Sequence, residues 1–346
     1  IGAILGASKN SSIRRLKIDP GGGADGGMIV DHLNRARKSS LAVLDVTGIG
    51  LSDRGGAKFF ETLIEGKLDF VHSFHIGSNE LTDIAIGRLM VEALRSETCN
   101  IRTLDLSNND IGAGIITQVV KSNSSLTQLD ICENPQVDDR GLGLIGDFLL
   151  QPSCNCRLRF INCFAFEVKE DKHGLTLHNE TIGSGAMQLL CGIVKYNDLI
   201  EKLNLKSRGV ETDAASVLAT ATKHNSTLKS IDLSNNPISE VSLYTTGRDP
   251  VDTNGLNALA EAVSSNVSLV EVTLDGGTLP VDELKGEQGE KKFKFLDMSK
   301  RSLGFVSAIF IGTLLRGNNH VTELILQSNQ LTPKGVTFIV KQLRPT

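Results

Sequence analysis

The chain has 346 residues, 40% hydrophobic and 22% charged, with a formal net charge of −4. That balance excludes bulk electrostatic attraction to nucleic acid or to an anionic membrane surface. No apolar run approaches the roughly 18 residues of a membrane-spanning helix, and six cysteines are too few for a disulfide scaffold in a chain of this length. Tryptophan is absent and aromatic residues make up only 4%, so the core must be filled with Leu, Ile, Val and Ala, as in a thin, repetitive architecture. Residue 1 is Ile rather than Met, so a processed or truncated segment is expected.

Near the start, "LKIDPGGGADGGMIVDHLNRA" sets Gly21, Gly23 and Gly26 after an apolar stretch, with Asp45 farther on. This is the outline of a dinucleotide-binding turn. Asp19 and Pro20 immediately precede the glycines, where a pyrophosphate would meet a carboxylate. Arg14, Arg15 and Lys17 also do not suit a strand buried on both faces. Asp45 belongs instead to a column that recurs as Asp105, Asp130, Asp232 and Asp297, and no nucleotide, cofactor or metal is expected.

From residue 13 onward the chain repeats itself. "IRTLDLSNNDI" (101–111), "LKSIDLSNNPI" (228–238) and "VTELILQSNQL" (321–331) share the pattern apolar-x-x-apolar-x-apolar-x-x-Asn-x-apolar. Weaker copies begin at Ile13, Leu41, Val71, Leu126, Leu158, Lys172, Ile200, Leu269 and Phe293, which makes about 12 units, most commonly 28 residues apart. Between the copies lie helical patterns such as "AASVLATATKHNSTL" (214–228) and "VSAIFIGTLLRGNN" (306–319), apolar at steps of three and four. A strand with two or three inward residues cannot bury itself. Stacked in parallel on its neighbours, with a helix behind each strand, it shares one continuous core. Asn79, Asn109, Asn134, Asn236 and Asn329 recur just after the strand, where an amide side chain can bond the turn. Turns with Ile49, Glu180, Arg208, Gly277 or Arg301 in that place are expected to be less regular.

Two units lack room for a full helix: 158–172, and 269–293 with "LPVDELKGEQGEKK". Leu158 and Leu269 lie 111 residues apart and each precedes a regular unit, which suggests a longer repeat laid over the short one. Helix-poor units should change local curvature. A polar insertion near 243–255 reads as a loop available for contact.

The unit "L-x-x-L-D-L-S-x-N-x-I" followed by a helix resembles the ribonuclease-inhibitor class of leucine-rich repeats over about 13–343. The resemblance implies an α/β solenoid, a horseshoe with a parallel sheet on its concave face and helices on its convex face, forming a single domain across 1–346. It implies a non-catalytic protein-interaction module or scaffold, cytoplasmic, acting alone or as a subunit of a larger assembly. The same fold serves the activator of the Ran GTPase, for which Arg54, read as a residue of the turn "GLSDRGG", would complete the GTPase site. It also serves the sensing regions of innate immune receptors.

Alternation along each strand places the middle polar positions on the concave face. Partner-binding candidates there are Asp105, Asp130, Asn162, Asn204 and Asp232 in the central column, flanked by Phe160, Phe164, His178, Lys202 and Lys206. Phe160 and Phe164 are expected to face outward as aromatic anchors. In "CNCRLRFINC" Cys163 takes an apolar strand position and should point into the core, while Cys154 and Cys156 precede the strand. Sequons begin at Asn10, Asn123, Asn179, Asn225 and Asn266, but three of them share one repeat position, the helix-to-strand turn, which itself calls for small polar residues. Asp138 reads as a helix cap. No Ser–His–Asp set emerges.

Overall fold

A computed structural model of the protein describes residues 14–18, 41–171, 174–239, 253–288, 291–292 and 294–343. The glycine run at 21–27, the sequon at Asn10 and most of the insertion at 243–255 lie outside the described residues. Residue contacts cluster into two compact units, Ile1–Lys169 and Glu170–Thr346.

In the first unit three-residue strands alternate with helices. The strands are β1 (Arg15–Lys17), β2 (Val43–Asp45), β3 (Ser73–His75), β4 (Thr103–Asp105), β5 (Gln128–Asp130) and β6 (Phe160–Asn162). They pair in parallel in chain order, so Asp45, His75, Asp105, Asp130 and Asn162 stand in one cross-strand row. Helices α1 (Ser52–Ile64), α2 (Asp83–Arg95), α3 (Ala113–Ser122) and α4 (Asp139–Leu150) follow β2 to β5. Strands β2 to β6 bury their central residues: Leu44, Phe74, Leu104, Leu129 and Ile161 are all almost fully enclosed. Phe59 and Phe60 of α1 meet Phe74 at ring-centroid separations of 5.6 and 6.4 Å and form the bulkiest part of this core.

The expected helix-poor unit is a hairpin. Strand β7 (Phe166–Val168) turns back antiparallel on β6, with Ile161 opposite Val168. In the second unit β8 (Leu175–Leu177) precedes α5 (Ser184–Tyr196), β9 (Lys202–Asn204), α6 (Ala214–His224), β10 (Ser230–Asp232) and α7 (Asn254–Ser265). Strand β11 (Glu271–Leu274) continues the parallel run β9–β10–β11, and the second helix-poor unit repeats the hairpin device, because β12 (Gly277–Pro280) pairs antiparallel with β11. A five-residue helix, α8 (Val281–Lys285), and the short antiparallel pair β13 (Glu287–Gln288) and β14 (Lys291–Lys292) fill the place of a full helix. Then come β15 (Phe295–Asp297), α9 (Phe305–Leu315), β16 (Glu323–Ile325) and α10 (Thr332–Gln342), with β15 and β16 parallel. Helix α9, "FVSAIFIGTLL", is apolar on every side because it packs between α7 and α10.

The post-strand asparagines do more than close their own turns. Nδ2 of Asn109 donates to the carbonyls of Leu106 and Ser107 and also to Ile76 of the preceding repeat. Its Oδ1 accepts from the backbone N–H of Asn79 and Leu81, again one repeat back. Asn79, Asn134, Asn236 and Asn329 reproduce this pattern, with Oδ1 accepting from Leu51, Ile111, Arg208 and Val210, and Arg301 and Leu303 respectively. One residue earlier the backbone is left-handed: φ is +54° at Ser78, +49° at Asn108, +56° at Glu133, +57° at Asn235 and +59° at Ser328. The same left-handed residue precedes Ile49 (Gly48), Arg208 (Ser207) and Arg301 (Lys300). These three turns are therefore no less regular than the asparagine ones, contrary to expectation. The backbone turn is kept, and its amide is taken up by the next repeat's asparagine at Arg208 and Arg301. The other two do depart: no left-handed residue precedes Glu180, and Gly277 opens the antiparallel hairpin strand β12.

A second asparagine series sits where helix turns to strand. Asn123, Asn225 and Asn266 are each at most 5% exposed. Their Oδ1 atoms accept from backbone N–H groups two and three residues on, and Nδ2 donates to carbonyls of the preceding repeat, such as Leu94, Val194 and Thr222. This accounts for the shared position of three sequons: the amide nitrogens are buried and already engaged.

Replacing Asn109 with Ala strands buried donors and acceptors in two repeats at once. It should destabilise the protein by about 3–5 kcal/mol, whereas Asn108→Ala, at the exposed left-handed neighbouring position, should cost no more than about 1–2 kcal/mol. Thermal unfolding of the two variants followed by circular dichroism checks this.

Candidate functional site

The sheet face of the first unit carries the acidic row, and most of it is committed to the protein itself. Asp105 Oδ1 accepts from the N–H and hydroxyl of Ser107 at 2.9 and 2.6 Å, and Oδ2 lies 3.5 Å from His75 Nδ1. Burial raises the Asp105 carboxyl, but the nearby His75 ring and the Ser107 hydrogen bonds outweigh it and hold the group below the usual carboxylate range. Asp130 accepts from the N–H of Cys132 and from Asn162 Nδ2, each at 3.0 Å. Here burial dominates, aided by the charges of Asp105 and Glu167, and the carboxyl is pushed up. In the second unit Asp232 accepts from the N–H and hydroxyl of Ser234 at 2.9 and 2.7 Å. Asp45 and Asp297 make the equivalent bond to the N–H two residues on. This row is a set of Asx turns that end the strands.

Register also brings Ser73, His75 and Asp105 together, a grouping the sequence did not suggest. Ser73 Oγ is 2.9 Å from His75 Nε2. Ser73 and His75 share one face of a strand, and His75 and Asp105 are cross-strand partners. The 3.5 Å gap between His75 and Asp105 is ion-pair reach, longer than the hydrogen bond that orients a catalytic base. Ordinary strand pairing accounts for the contact.

The two phenylalanines separate. Phe164, in the turn between β6 and β7, is 40% exposed, as expected. Phe160 is 5% exposed, and this corrects its reading as an outward anchor. It stands where the sheet passes from parallel pairing with β5 to the antiparallel hairpin, and the Arg159 guanidinium lies over its ring at 5.8 Å. Cys163 is fully buried, as its strand position predicts, with Sγ 3.2 Å from the Phe166 carbonyl oxygen, and burial pushes its thiol up to about 11. Cys156 is likewise buried and pushed up to about 11, while Cys154 is half-buried and free. Among the described residues no cluster of three or more His, Cys, Asp or Glu side chains is arranged to hold a metal. Asp138 caps α4 by accepting from the N–H of Gly141 at 2.8 Å. Arg54 is exposed in the first turn of α1, not in the preceding turn.

In the second unit His178, Lys202, Asn204 and Lys206 are all exposed. Lys202, Asn204 and Lys206 line a concavity of about 500 Å³ with Leu175 and Leu177 of β8, closed on one side by Ser207 and Arg208. Arg208 is held in place, its Nη1 donating to the Asn179 carbonyl at 2.7 Å. A different exposed feature escaped sequence reading: Ile84 on α2 is 96% exposed. Its signal was its phase, because the buried stripe of α2 runs through Ile86, Met90, Ala93 and Leu94 and leaves Ile84 beside Arg88.

A family model described as "Leucine Rich repeat" matches residues 98–116, 224–243 and 317–340, each running through a helix-to-strand turn or a strand. The ribonuclease inhibitor of Sus scrofa is 24% identical over 309 residues, covering 77% of this chain and 66% of the relative. The human "NACHT, LRR and PYD domains-containing protein 5" is 25% identical over 221 residues, covering 59% of this chain and 18% of the relative. A solved structure of the leucine-rich repeat-containing protein LegL7 from Legionella pneumophila aligns over 95% of this chain and 89% of its own at 14% identity, with a TM-score of 0.35. The fold is that of a leucine-rich repeat protein. More narrowly, the family-model matches and the inhibitor relatives support a leucine-rich repeat protein of the ribonuclease-inhibitor-like class. It spans just under two thirds of the length of the inhibitors it matches and less than a fifth of the NACHT-domain relative.

The thiol environments give a direct check. In the native protein a chromogenic disulfide reagent should titrate Cys132 and Cys154 first, and the buried Cys99, Cys156, Cys163 and Cys191 only on unfolding. Mass spectrometry of the modified peptides reads out the order.

Proposed function

We propose that the chain is a non-catalytic protein-interaction module, acting alone or as a scaffold subunit, that takes its partner on the exposed face of its strands. A single repeat domain across 1–346 is part of the proposal. The observation that carries it is the contrast between committed and uncommitted side chains on that face. The carboxylates of Asp105, Asp130 and Asp232 are spent on turns, and Asn162 is bonded to Asp130. Phe164, His178, Lys202 and Lys206 remain exposed, and exposed side chains on a rigid repeat surface are what such folds present to partners. Phe160 is withdrawn as an anchor. The relatives support a binding role: one set is named for inhibition of ribonucleases. The NACHT-domain relatives favour a second reading, the sensing half of a larger receptor. A cytoplasmic site of action is proposed with the function, in keeping with six unbonded cysteines. No helix among the described residues is long and apolar enough to cross a membrane. The GTPase-activating reading would rest on Arg54 alone, and nothing in its helical setting supports it.

Phe164→Ser tests the aromatic contact without touching the core. Affinity capture followed by mass spectrometry should show the principal partner lost or strongly reduced, with the melting temperature unchanged. Normal capture by the variant would remove Phe164 from the interface, and a lowered melting temperature would show it to be structural.

A further inference from the structure

The concavity at β8 and β9 differs in charge from the rest of the molecule. The chain is net negative, yet the cavity's charged lining is entirely basic: Lys202, Lys206 and Arg208. Lys202 and Lys206 are exposed, and neither ammonium group has a carboxylate or hydrogen-bond partner among the described residues. Lys202 opens β9 and Lys206 lies in the turn two residues past its end, and both side chains line the one concavity. The neighbouring carboxylate across the sheet, Asp232, faces Asn204 in register but is bonded to the Ser234 N–H and hydroxyl. Arg208 is pre-positioned by its bond to the Asn179 carbonyl and keeps further N–H donors. Leu175 and Leu177 supply half-buried apolar wall.

We infer that this depression is the docking point for an acidic segment of the protein partner, with its Asp or Glu side chains against Lys202, Lys206 and Arg208 and its aliphatic stems against Leu175 and Leu177. The inference rests on the protein-binding reading above and narrows it to a partner chemistry. Charge complementarity argues for it: three cations converge where no anion of the described chain meets them, and such a patch steers and orients an acidic partner. Nucleic acid is disfavoured because the lining has no aromatic residue on which a base could stack.

The test is fluorescence anisotropy of the intact chain with a fluorescein-labelled oligoglutamate peptide, an oligolysine peptide of equal length and a labelled single-stranded oligonucleotide. The oligoglutamate should bind, and should weaken steeply as salt is raised. Lys202→Glu combined with Lys206→Glu should weaken it at least about ten-fold. Lys223→Glu combined with Lys341→Glu, on exposed helix positions, should leave it nearly unchanged. All four side chains are exposed, so matching melting temperatures will separate docking from folding. Unchanged oligoglutamate affinity in the Lys202/Lys206 variant overturns the inference, as does equal or tighter binding of the oligonucleotide at the same residues. Partner capture that survives the double reversal overturns the acidic-segment assignment while leaving the binding function standing, whereas loss of capture only on Phe164→Ser points to the surface around Phe164 in the first unit.

Discussion

The asparagine side chain that ties a turn to the repeat before it, at Asn79, Asn109, Asn134, Asn236 and Asn329, is the constraint on which the rest of the structure depends. A three-residue strand makes too few ladder bonds to hold its neighbour, and a turn that ends it leaves backbone groups facing the core. One amide side chain, with two donors and an acceptor of two lone pairs, answers several of these groups at once. At Asn109 it serves its own turn through Leu106 and Ser107 and the previous repeat through Ile76, Asn79 and Leu81. The left-handed residue in front of it aims the side chain inward, and non-glycine residues hold that conformation at Asn108, Glu133 and Asn235 despite its usual cost of roughly 1–2 kcal/mol. The helix-to-strand asparagines Asn123, Asn225 and Asn266 do the same work at the far ends of α3, α6 and α7. Repeats of this chain are therefore joined by polar bonds at both ends of the helix, with aliphatic packing between them.

That arrangement also decides what the surface can offer. Aspartates of the strand row look like a binding column in the sequence because they recur. They recur because each ends a strand by accepting from the N–H two residues on, so their recurrence signals structure. What distinguishes one copy from another lies in the departures: Phe164 in a hairpin turn, and the basic set Lys202, Lys206 and Arg208, whose positions other repeats fill differently. Arg208 joins both roles, since its backbone N–H belongs to the asparagine ladder while its guanidinium is held at the rim of the depression.

Much of this was legible in the sequence because a repeat states its pattern many times. The strands, the helices behind them, the inward placement of Cys163 and the cap at Asp138 all follow from periodicity and position. What stayed hidden depends on contacts that no single repeat encodes. The two helix-poor units read as gaps, but the chain uses them for antiparallel hairpins, β6–β7 and β11–β12, and the first of these leaves Phe160 buried although its strand phase points it outward. Arg54 read as a turn residue because "SDRGG" contains two glycines, yet Gly55 and Gly56 are buried helix positions. A Cβ at Gly55 would meet Leu51, and one at Gly56 would meet Leu81 of the following repeat. The shared backbone of the asparagine turns and those at Arg208 and Arg301 was invisible for the same reason: there the bond comes from the next repeat.

The central claim is that the asparagines couple neighbouring repeats rather than merely finishing their own turns. Amide hydrogen exchange on Asn236→Ala measures this directly. If the account is right, protection falls at Arg208 and Val210, one repeat away, together with the local turn, while the amides of β2 to β4 keep theirs. Loss confined to residues 233–237, with Arg208 and Val210 as protected as in the parent chain, would contradict it.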